Sequence, residues 1–303
     1  MDKNSVIQAF VDNRPEALGA YGYGSGVFKQ VGYDSSDKPQ IDLIFLVDDL
    51  RAWHLENMET NRDDYTFSGR VFINFSNVKK LKGNNRITYY SHIQENGYRF
   101  KYGVMEEEDF LSFLESWDNF FIAGRFHKPV MQIKSNEREI EAINKNKEQA
   151  LLVAAILAPS VISKKNFFKI ICNLSYAGSP RMKVAENPNK VNNIVDGCYE
   201  KLARIYSLNN DYISEFKDGY VHISHSKALS HVFELPLGLL SYLIDNGYDV
   251  TNVFHVRKGI VKYLEEHNKQ EELAQSIDGI KTNGIVRSTP YLLAKVKKRI
   301  KSM

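Results

Sequence analysis

A chain of 303 residues is long for one hydrophobic core, and 43% hydrophobic with 12% aromatic residues marks a folded globular protein, which sets aside disorder and low complexity. The 40 Lys and Arg against 37 Asp and Glu leave a net charge of +3, too small to argue for nucleic-acid binding, so no nucleic-acid partner is expected. Cys172 and Cys198 offer neither metal-ligand spacing nor a disulfide framework and read as buried thiols in a reducing compartment.

Residues 1–10 include Asp2 and Lys3 and lack the apolar core of a secretory signal, and no Arg-rich, acid-poor transit segment is visible. The longest apolar run, Ala150 to Pro159, falls well short of the ~20 residues that cross a bilayer, so membrane contact is expected to be peripheral.

Asn4 to Val11 reads as a short amphipathic helix. The stretch from Ala20 to Gln30 then predicts a short strand and a Gly24-Ser25-Gly26 turn that opens a helix. Gly24 and Gly26 remove the Cβ atoms that would keep a triphosphate off the backbone, and Ser25 adds a hydroxyl beside outward N–H groups. Taken alone the triplet is equally an ordinary tight turn. The next strand, Ile41 to Val47, sharpens the reading: it is almost unbroken apolar, so Asp42 within it needs a partner or a metal. Together the two pieces suit nucleotidyl transfer, with Asp42 holding Mg²⁺ against the phosphates.

Asp48 or Asp49 can cap a helix through Trp53, His54 and Asn57 that ends near Asn61. A further helix is expected over Val71 to Leu81. Arg86 to Ile93 and Tyr98 to Met105 read as a hairpin about Glu95-Asn96-Gly97, and Glu106 to Asp109 opens a helix running to about Trp117. Arg125 and Lys128 flank a predicted loop. A boundary falls near residue 135, dividing 1–135 from a mainly helical 136–285 and a terminal 286–303. The helical half has patterns over Glu137–Leu157, Lys164–Leu174, Lys190–Ser207, Pro236–Asn246 and His255–His267, with short strands near Asp211–Phe216 and Tyr220–Ser224. At the end, Leu292, Leu293, Val296 and Ile300 share one helical face, while Lys295, Lys297, Lys298, Arg299 and Lys301 crowd the rest. Such a helix can lie on an anionic bilayer, or be a solvated helix with the usual cationic end.

Several stretches converge on a family: Tyr23 to Val27, Asp42 with Val47-Asp48-Asp49, Trp53-His54 and Asn57, Lys101 to Val104, Ala123 to Arg125, His127 to Val130, Leu174 to Tyr176, Gly178, Arg181-Met182, and Gly284 to Arg287. In this order the set resembles the mitochondrial translocator assembly and maintenance protein family, the peripheral type of CDP-diacylglycerol synthase. The resemblance implies an α+β chain: a nucleotidyltransferase fold with a mixed sheet, a mainly helical winged-helix-like domain, and a C-terminal amphipathic helix. It implies a Mg²⁺-dependent reaction of CTP with phosphatidic acid that yields CDP-diacylglycerol and pyrophosphate at an anionic membrane surface. The absent presequence, with a region 240–285 that matches less closely, suggests a bacterial relative on the cytoplasmic inner face of the membrane; a eukaryotic one would lie on the matrix side.

The nucleophile would be a phosphate oxygen already anionic near neutral pH, so no general base is required and the difficulty is charge repulsion. Asp42 is the expected metal ligand. Lys101 is an expected catalytic cation, while Arg125 and Lys128 join Gly24, Ser25 and Gly26 around the nucleotide. Arg181 binds the lipid phosphate or pins the second domain, and Lys295, Lys297, Lys298 and Arg299 meet the membrane. His54 reads as a structural hydrogen-bonding residue. A second carboxylate is harder to place. Asp48, the other candidate metal ligand, faces the same side of an ideal strand as Asp42 but lies about 20 Å along it, so it joins the metal only if the strand ends and the chain turns back, and otherwise caps the next helix; Glu106 to Glu108 or the substrate phosphates are further sources. Two rival classes remain, a transferase with a soluble or RNA acceptor and a non-catalytic membrane-assembly factor.

Overall fold

The computed structural model describes residues 2–28, 39–75, 86–180, 182, 187–216 and 219–274. Helix α1 (Lys3–Asp12), whose Ser5 N–H is capped by Asp2 at 2.9 Å, leads into strand β1 (Gly19–Tyr23). Strand β2 (Ile41–Val47) follows, and every residue in it except Asp42 is buried, as a strand covered on both faces requires. Asp49 rather than Asp48 caps α2 (Leu50–Thr60), its Oδ1 accepting from Ala52 N at 2.8 Å. The helix expected from Val71 begins earlier, as α3 (Phe67–Phe75), and the rest of that expectation lies outside the described residues. The hairpin forms as read: β3 (Thr88–Glu95) and β4 (Tyr98–Glu106) are joined by Asn96 and Gly97 at φ 49° and 75°, the backbone an Asn-Gly turn favours.

Helix α4 (Glu107–Ser116) starts on its acidic turn, and α5 (Phe120–Phe126) forms where no helical period is visible in the residues. Asn119 caps α5 by accepting from Ile122 N at 3.3 Å. Strand β5 (Met131–Lys134) closes a five-stranded mixed sheet of order β3-β4-β2-β1-β5, in which only the β2–β4 pair is parallel. This edge strand has four half-buried or exposed residues, too short a pattern to read from sequence.

Beyond it come α6 (Glu137–Leu157), β6 (Val161–Ser163), α7 (Lys164–Asn173), α8 (Lys190–Ile205), β7 (Ile213–Glu215) and β8 (Tyr220–Ile223). The three short strands form a second sheet of order β6-β8-β7. Then follow α9 (His225–Ser230), α10 (Leu237–Asp245) and a long helix α11 over 253–274. The chain is thus α+β, as expected. Two cores flank the large sheet. On one face, Ile41, Leu43, Phe45 and Val47 pack with Phe10 of α1, Trp53 of α2 and Ile73 of α3. On the other, Ile44 and Leu46 join a cluster that runs through α4, α5 and α6 to Leu264 of α11, so apolar contact is continuous past residue 135. Cys172 and Cys198 are free, buried thiols.

Candidate active site

Strand register assembles the site. Across three adjacent strands Tyr23 of β1 pairs with Asp42 of β2, and Asp42 with Lys101 of β4. All three are half-buried and share the face that carries Ile44 and Leu46. Gln40 Nε2 donates to Asp42 Oδ1 at 3.2 Å, and a Cβ built on Gly24 would stand 3.3 Å from Oδ2, so the Gly24 turn lies against the carboxylate.

The Gly24 stretch forms the expected turn: Val27 and Phe28 direct their N–H groups back to Gly24 O at 3.2 and 2.9 Å, and the helix expected to follow lies outside the described residues. Gly24 sits at φ 76°, which strongly favours glycine. Gly26 has a packing reason to be glycine: a Cβ there would fall 2.1 Å from Gln40 O, so its absence lets the turn close onto the start of β2. Ser25 is half-buried beside them.

Two tyrosines complete the wall: Tyr23, part of a family-like motif but given no site role by sequence, and Tyr89, which no motif marks. The Tyr89 ring of β3 lies 4.3 Å from Lys101 Nζ, in space left by Gly103, where a Cβ would come 2.7 Å from Tyr89 Cε1. A glycine inside an apolar strand is the signal that could have pointed to it. Burial, then Tyr89 and Asp42, hold the Tyr23 phenol well above its ordinary value, with Arg125 opposing, so it stays a neutral hydrogen-bonding group.

Arg125, expected to flank a loop, stands on the last turn of α5. Its guanidinium lies 3.4 Å from the Phe121 ring centroid and 5.1 Å from that of Tyr23, and one Nη donates to Phe121 O. Its Nε is buried without a hydrogen-bond partner. Lys128 follows α5 and donates to Gly124 O and, at 2.6 Å, to Ser175 Oγ in the 3₁₀ turn Leu174–Tyr176. Burial, reinforced by the Arg125 charge, lowers its ammonium to about 8.

Helix α11 braces both cation-bearing elements. Glu271 Oε1 accepts from Phe120 N at 2.5 Å at the start of α5, and Asn268 Nδ2 donates to Leu174 O at 3.0 Å and Ala177 O at 2.8 Å. Glu272 accepts from Ser179 Oγ at 2.5 Å. Burial raises the Glu271 carboxyl to about 8, against the opposing N–H groups of α5 and the charge of Arg125.

Other expected ligands lie elsewhere. Asp48 is exposed beyond the far end of β2, and Glu106 pairs with Val47 at that same end. Glu107 and Glu108 are held there by Arg138 at 3.3 and 2.8 Å. Register therefore separates all four from Asp42. Arg181, Lys295, Lys297, Lys298 and Arg299 lie outside the described residues. His54 is the structural residue expected: its Nδ1 and Nε2 lie 3.0 Å from Tyr65 OH and Thr88 Oγ1, and burial lowers it to about 3.

Among the described residues no three His, Cys, Asp or Glu side chains converge into a metal cage. One half-buried carboxylate beside a glycine turn instead fits Mg²⁺, which binds through one or two carboxylates and completes its shell with substrate phosphates and water.

A family model described as "Phosphatidate cytidylyltransferase, mitochondrial" matches residues 4–241. The protein of that name from Schizosaccharomyces pombe is 31% identical over 93% of this chain and 80% of its own length. Its counterpart from Saccharomyces cerevisiae is 33% identical over 93% and 66%, and that from Xenopus laevis 29% identical over 94% and 91%. With more than two thirds of the sequence matched in order, and the motif residues Gly24, Asp42, Lys101 and Arg125 inside that match, the chain belongs to the mitochondrial phosphatidate cytidylyltransferase family.

Proposed function

We propose that this chain moves the cytidylyl group of CTP onto phosphatidate, forming CDP-diacylglycerol and releasing pyrophosphate. The observation that carries this reading is the in-register row of Tyr23, Asp42 and Lys101 beside the Gly24 turn. A phosphatidate oxygen forms the new bond to the α-phosphorus of CTP, the α–β bridging bond breaks, and its electron pair leaves on pyrophosphate. The attacking oxygen carries its charge already, so no residue has to accept a proton. The buried imidazoles His54 and His127 suit that chemistry, since burial lowers both to about 3 and leaves them neutral hydrogen-bonding groups.

Charge is the remaining problem, and Lys101, Arg125 and Lys128 answer it. Arg125, stacked on Phe121, presents a planar fork suited to a phosphate, and Lys101, set against the Tyr89 ring, supplies a point charge at the row. Asp42 would hold Mg²⁺ against the triphosphate, where the ion neutralises charge and orients the α-phosphorus. Ser25 and the Gly24 turn would contact the same phosphates. Arg181 is assigned to the lipid phosphate.

The sheet and its register support the nucleotidyltransferase fold. The chain order α6-β6-α7-α8-β7-β8 supports a winged-helix-like second unit, with β7 and β8 as the wing. Among the described residues no helix is long and apolar enough to cross a membrane. We propose a peripheral position for the enzyme on an anionic inner membrane face, cytoplasmic or matrix, with Lys295, Lys297, Lys298 and Arg299 as membrane contacts. A non-catalytic assembly factor is the second reading, favoured by the single carboxylate at the row.

Labelling CTP at two positions separates these readings. Label from α-labelled CTP is expected in the lipid phase with phosphatidate present, and label from γ-labelled CTP only in released pyrophosphate. A folded protein that moves no α-label into lipid from any nucleotide contradicts the enzyme reading.

A further inference from the structure

Helix α3 has an unusual outer face. Gly69 and Ile73, four residues apart, are buried, and Ile73 packs into the core beneath the sheet with Trp53 and Tyr65. On the other side Phe67, Val71 and Phe75, spaced i, i+4 and i+8, are 76%, 41% and 86% exposed. Single exposed apolar residues are ordinary, but a line of three with two phenylalanines along one helix marks an interaction surface.

The charge around this line narrows the partner. Residues 65–94 contain no Asp or Glu but five cations, Arg70, Lys79, Lys80, Lys82 and Arg86, in a chain whose totals nearly balance at 40 against 37. Arg86 is paired with Asp109 at 3.0 Å, which leaves the excess to Arg70 on α3 and to the lysines that follow the helix in sequence. An apolar stripe accompanied by an excess of positive charge suits the interface of an anionic bilayer, where rings enter the acyl boundary and cations meet lipid phosphates. A protein partner would have to supply both an apolar groove and an acidic rim. Phosphatidate, whose acyl chains stay in the bilayer while its head is consumed, provides both in one surface.

We propose that α3 is a membrane-docking wedge, with Phe67, Val71 and Phe75 entering an anionic lipid surface. The choice of a phosphatidate-bearing surface rests on the substrate reading above, whereas the wedge itself does not depend on turnover. It is also distinct from the contact assigned to the C-terminal segment, so it would give the enzyme a second point of attachment and fix its orientation on the bilayer.

The test uses the full chain and cosedimentation with vesicles of phosphatidylcholine, alone or mixed with phosphatidate. Wild-type protein is expected to favour the phosphatidate vesicles, and the paired substitution Phe67→Ser with Phe75→Ser to weaken partitioning at least about tenfold. Transfer to bilayer phosphatidate should fall with it, while transfer to a short-chain, water-soluble phosphatidate stays unchanged. The indole introduced by a separate Phe75→Trp substitution should be quenched by brominated acyl chains, a signal that loss of fold cannot produce. Unaltered partitioning of the serine pair together with unquenched indole fluorescence in the Phe75→Trp variant overturns the proposal. So does conversion of a dimer to a monomer by the serine pair without any change in vesicle binding, which would assign the stripe to a second copy of the chain. Quenching and weakened binding in a protein that never labels lipid would uphold the wedge and remove the transferase reading.

Discussion

In the proposed reaction the chemistry converges on Asp42, because β1 and β4 present Tyr23 and Lys101 on either side of it in register. Lys101→Met is expected to lower kcat at least about a hundredfold with little change in melting temperature, since it removes charge stabilisation and leaves a half-buried strand position filled. Lys128 makes a pH-dependent contribution. Its ammonium, lowered to about 8 by burial, is charged below that value and neutral above it. The KM for CTP should therefore be flat below about pH 8 and rise above it, as a cation loses its charge beside an anionic substrate. Lys128→Arg, which stays charged, should abolish the rise, and a KM profile unchanged by that substitution would sink Lys128 as a nucleotide contact.

At the scale of elements, the turn after β1 is fitted to β2 by an absent side chain. Gly26→Ala would drive a Cβ to 2.1 Å from the Gln40 carbonyl, a backbone contact that no rotamer change relieves. The expected cost is about 1–3 kcal/mol, read as a lower denaturation midpoint, and the shifted turn should lower activity further. Much of this architecture was legible beforehand for physical reasons. The run Ile41 to Val47 is a buried strand by its unbroken apolar character, and Asn96-Gly97 fixes the hairpin through its positive φ values. Helix α5 was not legible: Gly124 and a cluster of aromatic side chains hide a helical period in only seven residues. Tyr89 could have been found through Gly103, but only by reading an interior strand glycine as room for a neighbouring ring.

In the whole molecule, the site depends on contacts that no local pattern reveals. Glu271 accepts from Phe120 N, a residue 151 positions earlier, and so ties α11 to the helix that carries Arg125. Helix α11 lies beyond the stretch 4–241 that carries the family match, yet it grips both α5 and the turn that anchors Lys128. Its effect on stability has a definite sign. Burial raises Glu271 from an ordinary 4.5 to about 8, so between those values the folded protein keeps a proton that the unfolded chain has lost. Stability contributed through this group therefore falls as pH rises through the window. Glu271→Gln should shrink the drop in melting temperature between about pH 5 and about pH 8. Equal drops in variant and wild type would show that Glu271 does not titrate in this window.

The central claim is that the row through Asp42 transfers the cytidylyl group, and the most direct measurement compares wild type with Asp42→Asn. With Mg²⁺, α-labelled CTP and phosphatidate in mixed micelles, wild type is expected to label the lipid and Asp42→Asn to fall at least about a hundredfold, with its melting temperature preserved. An Asp42→Asn protein that labels phosphatidate at the wild-type rate would contradict the account.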